Sequence, residues 1–431
     1  MKTSVTAATL SLCLLLATST AFAAAGSLDT TFGSNGIVET NFGSNTNNFQ
    51  FTDAALAPNG DIVVAGTVSN IVNDTGDNCV IVRYLPNGTL DSSFGTDGVV
   101  VLSSTQFASL SGIIAVQSNG QILVLTVPEI NGTFVEAMQR FNINGTPDAT
   151  FGTGGVVPIN VPVPPPYGGD ISLILAQPDG KILLSGAAFP PFKSTLPQLT
   201  LLARYLSNGS LDTTFGTGGI VSKVAIGEPT TLAVLSGDGI MALNEVGQFA
   251  QFTSAGVLLS TPTGGTVTTV TESSQTQTST FQPNGEYLVQ NSVDGPFGRR
   301  NILATLTRFK VNGTVDSTFA SPEISYGPNV PVVASGVSGI AVDSTGRVII
   351  GGSFSSLSPA TSEFGLARVE ANGNLDPTFG SGGTVTTQVG LLSGIGKVLL
   401  QSNGEIVVVG ITHVTTGSTT EDVVLARYLA Q

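Results

Sequence analysis

Arginine and aspartate recur in this chain at a fixed interval: Arg83 and Asp91, Arg140 and Asp148, Arg204 and Asp212, Arg308 and Asp316, and Arg368 and Asp376 are each eight residues apart. A guanidinium and a carboxylate held together form a charge-assisted, fork-shaped pair. Arg427, near the C-terminus, has no aspartate downstream, and Asp29, near the N-terminus, has no arginine upstream. These two are expected to pair with each other. In the 239–285 region the aligned residues are Gln251 and Leu259, so both charges vanish together. Exposed pairs contribute only about 0–1 kcal/mol, so their expected work is to fix turns and strand register. A calcium reading is weaker, because that ion takes about six to eight oxygens and one aspartate per repeat supplies too few. No metal and no cofactor is expected.

Other chemistry is sparse. His413 is the only histidine and is expected on a surface loop, which disfavours multi-histidine metal sites and a Ser-His-Asp arrangement. There is no G-x-S-x-G elbow, phosphate loop or EF-hand loop. The run NDTGDN at 73–78 reads as a polar loop. Asp53 and Asp170, near the starts of predicted strands, are the carboxylates an enzyme could use in a central channel. The favoured ligand-binding residues are loop aromatics and arginines among prolines and glycines: Tyr167 in VPVPPPYGGD, Phe189 and Phe192 in FPPFKS, and Phe297, Arg299 and Arg300 in DGPFGRRN. Such residues suit a carbohydrate or a peptide. The bland alternative is that these loops only cap the fold.

The elements that would position these residues are repeated. Turns of the type PNGDI, QSNGQI, QPDGKI, GDGIM, QPNGEY, STGRV and QSNGEI place glycines at 60, 120, 180, 239, 285, 346 and 404. Successive spacings are 60, 60, 59, 46, 61 and 58, giving seven units with one shortened. Each turn separates two apolar runs, as in a hairpin whose two central residues have positive φ. A third run ends in Arg-Tyr or Arg-Phe, and a fourth follows L-D-x-x-F-G and paired glycines. The phenylalanines of that motif, Phe32, Phe94, Phe151, Phe215, Phe319 and Phe379, are placed as apolar wedges between neighbouring units. The fold expected is all-β: a seven-bladed β-propeller of four-stranded antiparallel blades. The first copy begins at the fourth run and the last stops after the third, so residues 36–41 are expected to complete the blade of 395–429 and close the ring.

The first turn and third turn of each unit are tight and share one face; the long, variable connections share the other, where recognition is expected. Six N-x-[ST] sequons occur, at Asn73, Asn87, Asn131, Asn144, Asn208 and Asn312, and four of them coincide with repeat turns.

Residues 1–23 carry one lysine, an apolar run and Ala21-Phe22-Ala23, which fits a cleaved secretory signal and leaves 24–431 as one propeller. Removal of Cys13 would leave Cys79 alone, without a disulfide. A net charge of −14 argues against nucleic acid and anionic membranes. The expected locations are secreted, periplasmic or cell surface, and the expected state is a monomer not inserted in a membrane.

QPDGKILLSG (177–186) and LARYLSNGSLDTTFGTGGIV (202–221) resemble the delta-60 repeat family of mostly bacterial exported proteins. The resemblance spans the chain after residue 23; it departs most over 232–262 and at Ala320, which replaces the usual glycine. It implies a β-propeller and export, and brings no catalytic residues. The functional expectation is a non-catalytic scaffold for a protein or glycan. The alternative is a propeller lyase, lactonase or glycoside hydrolase using carboxylates and a divalent metal.

Overall fold

The computed structural model describes residues 24–42, 47–70, 78–102, 107–259, 267–272, 279–294, 302–320, 323–324, 332–357, 360–413 and 421–431. The expected signal segment, residues 73–77, Phe297, Arg299 and Arg300 lie outside these residues.

Alternating apolar runs punctuated by glycine turns give strands throughout, and no helix occurs among the described residues. Asn47–Leu56, Ile62–Asn70, Asn78–Tyr84 and Val99–Leu102 pair antiparallel in that order. The same order holds for Gly168–Ala176, Ile182–Phe189, Leu199–Tyr205 and Ile220–Val224. It holds again for Phe107–Val116, Ile122–Ile130, Ala137–Phe141 and Val156–Pro158, with Thr133–Phe134 lengthening the central hairpin, and for Ser279–Phe281, Tyr287–Asp294, Ile302–Phe309 and Glu323–Ile324. Val332–Val342, Val348–Leu357, Ala360–Val369 and Thr384–Thr387 form a further set, linked by one parallel bridge, Ser362 to Leu392, to the C-terminal strands.

The C-terminal strands Leu392–Leu400, Ile406–His413 and Asp422–Tyr428 are joined on their outer edge by Ile37–Thr40. Ile37 faces Ala426 and Thr40 faces Val423. Gly26 N–H donates to Leu429 C=O, and Leu429 N–H to Ser27 C=O. Residues 37–40 and the C-terminal strands thus share one sheet. The innermost strands lie side by side: Asn47–Leu56 against Phe107–Val116, then Gly168–Ala176, Val267–Glu272, Ser279–Phe281, Val332–Val342 and Leu392–Leu400, which touches Asn47–Leu56.

Val267–Glu272 corrects the expected pattern of the short unit. There Thr231–Leu235, Ile240–Leu243 and Phe249–Phe252 pair in order, but the fourth strand lies on the inner edge, beside Thr231–Leu235. The segment after Phe252 lacks the D-x-[ST]-F-G turn that elsewhere folds the chain back along the outer edge. The hairpin turns need a second correction. In the regular units only the turn glycine takes positive φ, for example 89° at Gly60 and 85° at Gly120, so each of these is a turn closed by a glycine bulge. The preceding Asn or Asp caps the loop instead: Asn119 Oδ1 accepts Gln121 N–H and Asp179 Oδ1 accepts Lys181 N–H. In the short unit the left-handed residue equivalent to Gly120 is Asp238, at 62°, one position before the glycine used to count the repeat.

The core lies between sheets. Val63, Ile81 and Phe94 pack with Ile122, Val124 and Phe141 of the next sheet, and Leu173, Leu183 and Phe215 with Leu232 and Ile240 of another. Middle strands are buried on both faces, and each large apolar side chain removed from water contributes about 1.5–3 kcal/mol.

Candidate functional site

On the tight-turn face, each Arg–Asp repeat builds a small buried clamp. Nε of Arg83, Arg140, Arg204, Arg308 and Arg368 is 2.8 Å from Oδ2 of Asp91, Asp148, Asp212, Asp316 and Asp376 respectively, and Arg427 Nε is 2.9 Å from Asp29 Oδ2. The other carboxylate oxygen accepts the N–H and hydroxyl of a Ser or Thr two residues on, as in Thr150 to Asp148 and Thr318 to Asp316. That hydroxyl went unremarked in the sequence, although Thr31, Ser93, Thr150, Thr214, Thr318 and Thr378 recur at the same offset. Each guanidinium lies 4.4–4.8 Å from the centre of its motif phenylalanine ring.

The clamp also reaches the next sheet. Arg308 Nη1 donates to Ala371 C=O at 2.7 Å and Arg427 Nη1 to Pro86 C=O at 2.6 Å; Arg83 and Arg204 bond Ile143 and Ser254 in the same way. Gly95 N–H donates to Asn144 C=O, Gly33 to Asn87 and Ala320 to Asn372, so the backbone doubles the link even where alanine replaces glycine. Five of the six pairs are buried in both partners, not exposed as their surface-turn setting suggested, and only Arg308 of the sixth is partly exposed; Arg368 retains 2 % of its accessible surface. Burial pulls the carboxyl pKa values upward, but the Thr and Arg donors outweigh it and hold Asp148 at about 2. The same donors hold Asp316 at about 2. In the short unit Leu259 N–H still donates to Gln251 C=O, and an aromatic stack replaces the charges: Tyr287 lies 4.9 Å from Phe309 and 5.0 Å from Phe249.

Between the innermost strands lies a cavity of about 360 Å³ walled by Ala54, Ala115, Leu175, Phe281, Ala341 and Val398. Its charged groups are Asp53 and Lys397, with Nζ 3.2 Å from Asp53 Oδ1. Asp53 Oδ1 also accepts Ala54 N–H and Oδ2 accepts Ile114 N–H, yet full burial keeps its pKa above the ordinary value.

The opposite face carries the long connections and a larger recess. In the short unit the second and third strands are joined by the tight turn Asn244–Gln248, fixed by Asn244 Nδ2 to Ile226 C=O at 2.7 Å and by Val246 and Gln248 N–H to Asn244 Oδ1. The second strands on either side, Ile182–Phe189 and Tyr287–Asp294, are twice as long as Ile240–Leu243, and a notch of about 700 Å³ lies beside the short turn. Asp170, Ser172, Gln198, Glu228, Glu245 and Gln248 line it. Thr52 Oγ1 and Ser172 Oγ at its floor have no hydrogen-bond partner. Glu136, beside Asp170, has its pKa pushed up to about 7 by desolvation, then by the hydrogen bond and like charge of Asp170.

Of the aromatic residues singled out in the sequence, Tyr167 and Phe189 sit at the same end of one hairpin, where Gly168 faces Phe189. Phe192 is 92 % exposed in the following loop, with Lys193 Nζ 5.6 Å from its ring centre. Pro197 and Gln198 carry that loop down into the notch. His413 is no surface-loop residue: it ends the strand Ile406–His413, half-buried, with Nε2 3.1 Å from Glu421 Oε1. Strand pairing extends to it because Leu392 lies opposite. Asp53 and Asp170 belong to separate cavities and form no joint site.

Residues 57–94, 117–151, 197–215 and 344–379 match the family profile described as "domain of unknown function (DUF5122) beta-propeller". These four segments resemble β-propeller repeats. Among curated proteins none matches the sequence. Similar solved structures include the beta-propeller domain of the trilobed protease from Pyrococcus furiosus (9 % identity, TM-score 0.45, covering 89 % of this chain and 94 % of that one). An alpha-L-arabinofuranosidase from Fusarium graminearum is similar at 10 % identity and TM-score 0.40, covering 88 % and 93 %. The polysaccharide lyase Uly1 is similar at 11 % identity and TM-score 0.42, covering 88 % and 90 %.

Proposed function

We propose that this protein is an exported, monomeric β-propeller binding scaffold of the delta-60 kind, a closed ring of seven blades whose long-connection face takes a carbohydrate at the notch beside Asn244–Gln248. The side chains that line the recess carry the reading. Amide and carboxylate groups of Gln198, Gln248, Asp170, Glu228 and Glu245 can bond sugar hydroxyls, and Tyr167, Phe189 and Phe192 stand on the adjoining hairpin and loop for ring stacking. Ring closure draws support from the succession of innermost strands and from the pairing of Ile37–Thr40 with Asp422–Tyr428. The Arg–Asp clamps serve structure in this reading, because both partners are buried in five of the six and saturated by protein groups.

A second reading is favoured by Glu136 and Asp170. A carboxyl that keeps its proton to about pH 7 beside a second carboxyl is suited to general acid–base work on a glycosidic bond. A thermal-shift and calorimetric screen of purified protein against polysaccharide fragments separates the possibilities. A binding scaffold gives saturable binding, lost in Glu245→Ala and Phe192→Ala, with the glycan recovered intact. Fragment cleavage abolished in Glu136→Gln selects the enzyme, and no glycan binding at any concentration overturns both.

A further inference from the structure

The clamps cannot tell one junction from another. Arg427 reaches Pro86 by the same geometry that takes Arg308 to Ala371, so nothing in the clamps identifies the first sheet as the partner of the last. Asp53 and Lys397 can. Both lie seven residues before their turn glycines, Gly60 and Gly404, and both follow a bulge in an innermost strand. The same position holds Ile113, Leu173, Thr278 and Gly339 in the other regular units, so opposite charges meet there only where the last unit adjoins the first.

We propose that Asp53–Lys397 is a matching key that selects the first and last units as neighbours when the ring closes. The proposal rests on the closed-ring reading. Asp53 is 2 % and Lys397 8 % exposed, and the carboxylate is held by two backbone N–H groups as well as the ammonium. A misclosed ring that set Lys397 beside Ile113 or Leu173 would bury the ammonium without this carboxylate, the costly outcome, whereas the right neighbour supplies a carboxylate already oriented. Near-identical repeats make such errors a real hazard, and a single buried polar pair is an effective way of excluding them.

The test is refolding from urea, read by a cross-link that reports the terminal junction. Val38 faces Leu425 across the terminal strands, so Val38→Cys with Leu425→Cys in a Cys79→Ser background forms a disulfide when the ends are joined. Failure of that background itself to cross-link overturns the ring reading rather than the key. With the background cross-linking, Asp53→Leu with Lys397→Met is expected to cut the refolded, cross-linked monomer at least about twofold, with misclosed or oligomeric species on sizing. An unchanged yield overturns the key. A single variant covers the case in which the apolar pair fails to fold: Lys397→Met leaves the Asp53 oxygens on their backbone donors and is expected to cut the cross-linked monomer in the same way, and an unchanged yield overturns the key.

Discussion

Arg427 and Asp29 are separated by 398 positions in the chain, and Arg427 Nε rests 2.9 Å from Asp29 Oδ2. Asp212 makes the same contacts to Arg204 within one sheet, which supplies an internal control. Removing one partner of a buried pair costs about 3–5 kcal/mol, so Asp29→Asn and Asp212→Asn are both expected to lower the urea midpoint substantially. Only Asp29→Asn is expected to open residues 24–42 to protease under native conditions. Equal protection of that segment in both variants would count against a fastening role for Asp29.

Acid should dissolve the clamps in a defined window. The folded-state pKa values of Asp148 and Asp316 are lowered to about 2, against about 3.9 in an unfolded chain. A depressed carboxyl stabilises the fold fully above the unfolded value, and that contribution fades as pH falls through the folded one. Urea midpoints are therefore expected to lose the clamp contribution between about pH 4 and pH 2, and Asp148→Asn should flatten part of that fall. A wild-type midpoint constant over this range would contradict the assignment.

Gly95 has φ 58°, and an added Cβ would come 2.2 Å from Val99 C=O. Gly95→Ala is expected to cost at least about 1–3 kcal/mol of unfolding free energy by chemical denaturation. Ala320, which occupies the corresponding place after Phe319, has no positive φ, so Ala320→Gly is expected to bring no comparable gain. A neutral Gly95→Ala would mean that the turn relaxes freely.

Gln117 donates to Gly180 C=O and accepts from Arg140, whereas Gln177, at the same offset, faces the shortened unit and leaves both ends of its buried amide unbonded. An unmet buried amide costs about 1–3 kcal/mol, so Gln177→Leu is expected to be neutral or stabilising and Gln117→Leu destabilising. Calorimetric melting of the two variants checks the contrast; equal losses would refute it.

What could be read from the residues alone was whatever is local. Glycine turns, the eight-residue Arg–Asp interval and the alternation of apolar runs are all set within about twenty residues, because a hairpin and its turn are one continuous piece of chain. Lys397 and Asp53 share an offset from their turn glycines, and aligning units on that offset would have exposed their opposite charges. The inward place of Val267–Glu272 had no such marker: it depends on which edge is vacant beside Thr231–Leu235, a property of the assembled sheet. The notch beside Asn244 was likewise hidden, since a shortened spacing does not say which neighbouring strands are longer. Glu136 meets Asp170 only after separate units come together, so neither residue's surroundings in sequence disclose their pairing.

Because Asp29 and Arg427 meet at the third turn of their sheet, Gly26, Ser27 and Leu429 lie with the clamps, on the side of the sheet away from the notch. A fluorophore coupled at Gln431 would therefore stand clear of the recess beside Asn244 and report on the clamps instead.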